Sequence, residues 1–141
     1  MNGIAKNKKE GDLRTPQGKF KFLGVLYRKD RVGIIRSSLK TYAINKKLGW
    51  CDDSKSKNYN KLIKYPFKYK AEKLYLRKKI YDIILIINYN IRPTIKKKGS
   101  AIFLHIATKK YSPTRGCVAV SKKDMRKLLK FINKKTIIEI F

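Results

Sequence analysis

The chain has 141 residues, with 37 Lys+Arg against 9 Asp+Glu and a formal net charge of +28. This length predicts one domain over residues 1–141, and a hydrophobic fraction of 43% allows a buried core, which excludes wholesale disorder. The longest aliphatic run, Ile83 to Ile87, is far shorter than the roughly 20 residues of a membrane-spanning helix. Collagen-like, transmembrane and disulfide-scaffold proteins are therefore excluded.

The positive charge is spread along the whole chain and is carried mostly by lysine. Lysine is a flexible point charge, whereas base-specific recognition usually favours the planar fork of arginine. We therefore expect non-specific attraction to polyanions but no specific nucleic-acid partner. The two cysteines, Cys51 and Cys117, allow one disulfide bridge or a reactive thiol.

The first half of the chain carries short β-type segments. Lys19 to Tyr27 is predicted to be a strand, followed by a turn at Asp30. Arg31 to Arg36 and Thr41 to Asn45 are predicted to be further short β-type runs, because they are rich in Ile, Val and Tyr. Residues 49–60 contain turn-forming residues without periodicity and are predicted to form a loop.

Two strands are predicted between residues 81 and 107. Tyr81 to Tyr89 is a nearly continuous β-branched run, which is typical of a strand buried on both faces. Ser100 to Ala107 is predicted to be another strand, whose period of two separates its side chains into two sets. One face carries Ile102, Leu104 and Ile106, and the other carries Phe103 and His105.

The clearest predicted element is a helix near the C-terminus. Cys117 to Val120 is predicted to be a short strand that enters this helix, with Ser121 as N-cap and Asp124 at the third helical position. The apolar stripe is Met125, Leu128, Leu129 and Ile132. Thr136 to Phe141 is predicted to be the last strand. These elements predict a compact α+β fold that is mostly β, with one well-defined helix.

The single histidine, His105, lies twelve residues before Cys117. A cysteine and a histidine are the minimal pair for nucleophilic acyl chemistry, because the thiolate attacks while the imidazole holds and returns the proton. Gly116 allows a sharp turn before Cys117, and nearby backbone N–H groups could receive an oxyanion. The following helix N-terminus could favour the thiolate if the approach is close. The alternative is a structural histidine and a small buried cysteine.

Several segments, in their order along the chain, resemble the L,D-transpeptidase catalytic domain of the YkuD type. The active-site signature of that family is similar to Gly99-Ser-Ala-Ile-Phe-Leu-His105 followed by Ser112-Pro-Thr-Arg-Gly-Cys117. The early segment of the family is similar to Gly11-Asp-Leu-Arg-Thr-Pro-Gln-Gly18. The middle loop of a short single-domain bacterial branch of the family is similar to Gly49-Trp-Cys-Asp-Asp53 with Asn58-Tyr-Asn60. The resemblance covers the chain from about residue 10 to its end and implies a mixed β-sheet or sandwich fold.

The resemblance implies a role for each matching residue. Cys117 is the implied nucleophile and His105 the implied proton donor and acceptor. Thr114 and Gly116 are implied to shape the turn, with Gly116 also a candidate backbone oxyanion donor. The candidate substrate-binding residues are Arg14, Trp50, Tyr59, Thr114 and Arg115. Arg115 stands where the family carries histidine, and Ala119 where many members carry Arg or Asn, which bears on specificity for the donor stem.

The implied function is a peptidoglycan L,D-transpeptidase. Cys117 would acylate at the third stem-peptide residue and release D-Ala, and an amine of a neighbouring stem would then form a 3→3 cross-link. Resolution by water would make the same site an L,D-carboxypeptidase. A non-enzymatic basic protein that binds nucleic acid or an anionic envelope polymer is the alternative of another class.

Other expectations concern cofactors, partners and location. No metal or organic cofactor is expected, because no residues have ligand spacing. The expected partners are peptidoglycan stem peptides, and the expected state is a monomer. The resemblance implies the cell envelope or periplasm, whereas the absence of an apolar signal segment in the first twenty residues leaves a cytoplasmic location open.

Overall fold

The computed structural model describes residues 2–141, and most of its regular structure is β, with one main helix near the C-terminus, as the sequence predicts. The strands of the described residues are β1 (Ile4–Ala5), β2 (Thr15–Pro16), β3 (Gly18–Tyr27), β4 (Thr41–Ala43), β5 (Leu48–Cys51), β6 (Leu62–Lys64), β7 (Ala71–Lys73), β8 (Ile83–Ile87), β9 (Phe103–Ile106), β10 (Val118–Val120) and β11 (Ile137–Ile140). The helices are α1 (Lys29–Val32) and α2 (Lys122–Phe131), with a 3₁₀ turn at Lys79–Tyr81.

The strands form one large sheet and two small ones. The large sheet has the order β10-β9-β8-β3-β11, and β4 pairs in parallel with the C-terminal part of β3. The central pairs β3–β8 and β8–β9 are antiparallel, whereas β9 and β10 are parallel. The second sheet has the order β6-β5-β7, and β1 pairs with β2. The parallel pair at the edge of the large sheet holds the candidate site.

The predicted buried strand is confirmed as β8, whose five residues are all buried. Its side chains alternate between two apolar clusters, because successive residues of a strand point to opposite faces. Ile83, Leu85 and Ile87 belong to the cluster covered by α2. Ile84 and Ile86 belong to the cluster that contains residues of the second sheet and of the segment before β8. The large sheet therefore separates two cores.

The helix α2 forms as its local sequence predicts. The Ser121 hydroxyl accepts a hydrogen bond from the Asp124 backbone N–H at 3.0 Å and donates one to the Asp124 carboxylate at 2.7 Å. This N-cap satisfies a backbone donor that the first helical turn leaves unpaired. Met125, Leu129 and Ile132 are buried against the sheet, and full burial of such a side chain stabilises the fold by about 1.5–3 kcal/mol.

Two local predictions from the first half are wrong. Arg31 does not begin a strand: it lies in α1, where its guanidinium holds the Asp82 carboxylate at 2.8 Å. Residues 49–60 are not all loop, because Gly49 to Cys51 belong to β5, the middle strand of the second sheet, and are buried. In both places tertiary contacts outweigh the local sequence preference.

Candidate active site

His105 and Cys117 are brought together by the parallel pairing of β9 with β10. In that register Val118 lies opposite Leu104, and Ala119 lies opposite His105. Cys117 directly precedes β10, and by the period of two its side chain shares the face of Ala119 and His105. The predicted alternation along β9 is confirmed, because Ile102, Leu104 and Ile106 face the α2 core and Phe103 faces the other core.

His105 is buried, and one of its ring nitrogens is fixed by the backbone. Its Nδ1 lies 2.9 Å from the carbonyl oxygen of Ile106. A carbonyl oxygen only accepts hydrogen bonds, so Nδ1 carries the proton in this arrangement and Nε2 is left with its lone pair. Burial lowers the pKa of His105, and the Ile106 bond offsets part of that effect. At neutral pH the imidazole is therefore neutral, and Nε2 is the ring nitrogen able to accept a proton.

The Cys117 thiol is held in its protonated form at rest. Its Sγ donates to the carbonyl oxygen of Ala101 at 3.2 Å. Burial raises the pKa of the Cys117 thiol to about 12, with a further increase from the charge of Glu72, whereas a backbone hydrogen bond from Phe103 and the charge of Lys8 act in the opposite direction. Burial therefore acts against the thiolate in the resting protein, in the direction opposite to the effect expected from the N-terminus of α2.

The turn before Cys117 is closed by Thr114 and Gly116. The Thr114 hydroxyl donates to the carbonyl oxygen of Cys117 at 2.6 Å. Gly116 has a φ of +103°, and a Cβ built there would lie 2.5 Å from the carbonyl oxygen of Arg14. Only glycine fits this combination of positive φ and close backbone approach. The segment before β2 therefore packs directly behind the turn that presents Cys117.

Asn60, a residue that the sequence analysis gave no role, supports the backbone beside Cys117. Its side-chain oxygen accepts hydrogen bonds from the Trp50 Nε1–H at 2.9 Å and from the Ala101 N–H at 3.0 Å. Its amide group donates to the carbonyl oxygens of Tyr89 and Asn90. Ala101 has a φ of +53°, a conformation that is uncommon for alanine. Asn60 thus fixes Ala101, whose carbonyl oxygen accepts the hydrogen bond from the Cys117 thiol.

The predicted substrate-binding residues separate into two groups. Thr114 and Arg115 line the same cleft as Cys117 and His105. Trp50 is buried beneath it, where its ring packs edge-on against Phe103 at 5.1 Å.

Tyr59 and Arg14 also lie outside the lining of that cleft. Tyr59 is 1% exposed, and its hydroxyl donates to the Glu10 carboxylate while accepting from the Gly99 N–H. Arg14 contributes its backbone to the packing behind Gly116. The structure therefore places Trp50 and Tyr59 as buried residues and Arg14 as a support of the turn. Of the predicted substrate-binding residues, Thr114 and Arg115 line the cleft.

The cleft has a volume of about 830 Å³ and a mixed electrostatic character. Its lining contains the acidic residues Glu10, Asp52 and Glu72 and the basic residues Lys8, Lys70, Arg77, Lys78 and Arg115. This volume lies in the range typical of small-molecule binding sites, and the lining carries both signs of charge.

Neither a metal site nor a membrane-spanning helix is found in residues 2–141. In this part of the chain no three His, Cys, Asp or Glu side chains come close enough to hold a metal ion. Within the same residues no helix has the length and apolar character needed to cross a bilayer. Both cysteines are free thiols, so Cys51 and Cys117 are not paired in the structure.

The arrangement supplies the components of acyl transfer: a thiol, a neutral imidazole with a fixed tautomer, and a cleft that both residues line. Searches of curated proteins and of solved structures found no significant match. The family model of the YkuD L,D-transpeptidase catalytic domain, in contrast, matches residues 3–140, nearly the whole chain. The chain therefore belongs to the YkuD family of L,D-transpeptidase catalytic domains.

Proposed function

We propose that this protein is a peptidoglycan L,D-transpeptidase with Cys117 as nucleophile and His105 as general base and acid. The observation that carries the proposal is the placement of Cys117 and His105 on one face of the β9–β10 pair, with the His105 Nδ1–H bound to Ile106. This hydrogen bond leaves Nε2 as the proton acceptor. The family acts on peptidoglycan stem peptides, which supports the same substrate class here.

The first half-reaction forms a thioester. As Sγ attacks the carbonyl carbon of the third stem residue, its proton passes to His105 Nε2, which relieves the cost of forming a thiolate in a partly buried position. Backbone N–H groups at Gly116 and Cys117 are the candidate donors to the tetrahedral oxyanion. The C–N bond to D-Ala then breaks, and the imidazolium returns the proton to the leaving amine.

The second half-reaction reverses these proton transfers. The amine of a neighbouring stem attacks the thioester carbon, His105 removes a proton from it, and the Cys117 thiol leaves as the 3→3 amide bond forms. If water takes the place of the amine, the product is a tripeptide and the reaction is that of an L,D-carboxypeptidase. Arg115, at the cleft surface, is our candidate for binding a stem-peptide carboxylate, because a guanidinium pairs with carboxylates in a bidentate manner.

The test is incubation with a purified tetrapeptide stem, with and without a second stem as amine acceptor, followed by mass spectrometry. We expect release of D-Ala and a cross-linked dimer, and neither product with Cys117→Ala. A tripeptide without dimer would identify the carboxypeptidase. Absence of D-Ala release by the folded wild-type protein would contradict the proposal.

A further inference from the structure

A tyrosine that lines the same cleft packs against His105. Tyr81 ends the 3₁₀ turn before β8 and is 5% exposed. Its ring centroid lies 5.4 Å from that of the His105 imidazole, with the two planes at 77°. Edge-to-face packing at this distance is a favourable aromatic geometry, and it restricts rotation of the smaller ring.

Tyr81 is itself held from two directions. Its ring packs edge-on against Phe103, with centroids 6.2 Å apart. Its hydroxyl donates a hydrogen bond to the carboxylate of Glu72, a residue of β7 that lies opposite Trp50 in the second sheet. A continuous line of contacts thus connects the second sheet through Glu72 and Tyr81 to His105.

We propose that Tyr81 and Glu72 are positioning residues for His105, with the Glu72 carboxylate anchoring the Tyr81 hydroxyl and the Tyr81 ring holding the imidazole. This inference rests on the proposed function, in which His105 transfers the proton. The Ile106 carbonyl sets the tautomer of the ring, but one hydrogen bond at Nδ1 still permits the ring to tilt about it. The Tyr81 ring removes that freedom, so that Nε2 keeps its direction toward the cleft.

Glu72 also has an electrostatic effect on the nucleophile. It lines the cleft with Cys117, and its negative charge raises the pKa of the thiol, in opposition to Lys8. Burial raises the pKa of Glu72 itself, and so does the charge of Asp52. The Tyr81 hydrogen bond and the charges of Arg115 and Lys70 act to lower it. When ionised, Glu72 therefore adds to the larger effect of burial, and both favour the protonated form of the Cys117 thiol.

The experiment measures how fast a carbapenem acylates three variants and a matched control. The acylated fraction is read from the intact mass of the protein. Tyr81→Leu removes the aromatic ring that packs on His105. Tyr81→Phe keeps this ring but removes the hydroxyl that binds Glu72. Glu72→Gln keeps a side-chain oxygen that can accept the Tyr81 hydrogen bond but removes the negative charge. Tyr65→Phe is the matched control, because it also removes a tyrosine hydroxyl bound to β7. The Tyr65 hydroxyl donates to the carbonyl oxygen of Ala71, the neighbour of Glu72, at 3.0 Å. We expect Tyr81→Leu to acylate about 10²-fold more slowly, Tyr81→Phe to show a smaller decrease, and Tyr65→Phe to match the wild type.

A second readout separates positioning from loss of stability. The pH profile of iodoacetamide alkylation at Cys117 should move to lower pH in Glu72→Gln and stay unchanged in Tyr65→Phe. If Tyr81→Leu folds and is acylated at the same rate as Tyr65→Phe, the positioning role is overturned. If Tyr81→Leu does not fold, equal acylation rates for Tyr81→Phe and Tyr65→Phe overturn it instead. An unshifted profile in Glu72→Gln would overturn the part assigned to its charge. A wild-type protein that is not acylated at all would overturn the proposed function and this inference with it.

Discussion

Ala119 lies directly opposite His105 in the parallel pairing of β9 with β10. The side chain that β10 places beside the imidazole is thus a methyl group, which neither donates nor accepts a hydrogen bond. The tautomer of His105 consequently depends on the Ile106 carbonyl, and the space beside the ring remains part of the cleft.

The first prediction concerns pH. Because the pKa of Cys117 is raised to about 12, alkylation by iodoacetamide should still be rising at about pH 10.5, two pH units above the ordinary thiol pKa of about 8.5, where an ordinary thiol has reached its plateau. Because the pKa of His105 is lowered from 6.5, its neutral form persists to lower pH, and the acid limb of turnover should lie below pH 6.5. Alkylation should be measured in Cys51→Ser, so that Cys117 alone reacts. A plateau at or below pH 8.5 would show that the thiol is activated at rest.

His105→Ala should separate two steps of the reaction. A strong electrophile will still label Cys117, more slowly than in the wild type, because the thiol loses its proton acceptor. Turnover should fall by about 10²–10⁴-fold, since the leaving and attacking amines both need proton transfer. Both rates should be measured on protein shown to be folded by circular dichroism. Wild-type turnover in the folded variant would mean that His105 is a structural residue.

Gly116→Ala should destabilise the fold and disrupt the site together. The new Cβ would lie 2.5 Å from the Arg14 carbonyl oxygen at a residue whose φ is +103°, and we expect a loss of about 2–4 kcal/mol in the free energy of unfolding. Gly33→Ala is the matched control, because Gly33 also has a positive φ but has no atom within 4 Å of the added Cβ. Denaturant unfolding should show the larger loss for Gly116→Ala. Equal losses would contradict the close approach behind the turn.

Asn60→Ala tests the support beneath Ala101. Removing the side chain leaves the Trp50 and Ala101 N–H groups without an acceptor in a buried position, which should cost at least about 2 kcal/mol. Asn88→Ala is the control, because exposed Asn88 accepts one hydrogen bond, from the Lys21 N–H. Thermal unfolding should show a much larger decrease in Tm for Asn60→Ala. Similar decreases would mean that the Asn60 contacts contribute little.

The sequence predicts the structure correctly where local patterns decide it. The alternation of Ile102, Leu104 and Ile106 placed His105 on the opposite face of its strand, and the Ser121 cap and the apolar stripe defined α2. These features depend on a period of two or of 3.6 residues, which is visible within a short window.

Contacts between distant segments could not be predicted in this way. Asn60 reaches Ala101 across 41 residues, and Glu72 of the second sheet meets Tyr81 of the 3₁₀ turn only once the chain is folded. The polar sequence around Trp50 resembles a loop, although the second sheet draws Trp50 into the core. The raised pKa of Cys117 likewise arises from burial by the assembled fold, which no local motif encodes.

The site of acylation shows most directly whether Cys117 is the nucleophile. After incubation with a carbapenem, intact mass should show one adduct on the wild-type protein, and peptide mapping should place it on Cys117. Cys51→Ser, the matched control, should give the same adduct, because Cys51 is a buried free thiol in β5. Cys117→Ala should give none while it unfolds cooperatively. An adduct on folded Cys117→Ala, or turnover of stem peptides by that variant, would contradict the assignment of Cys117 as the nucleophile.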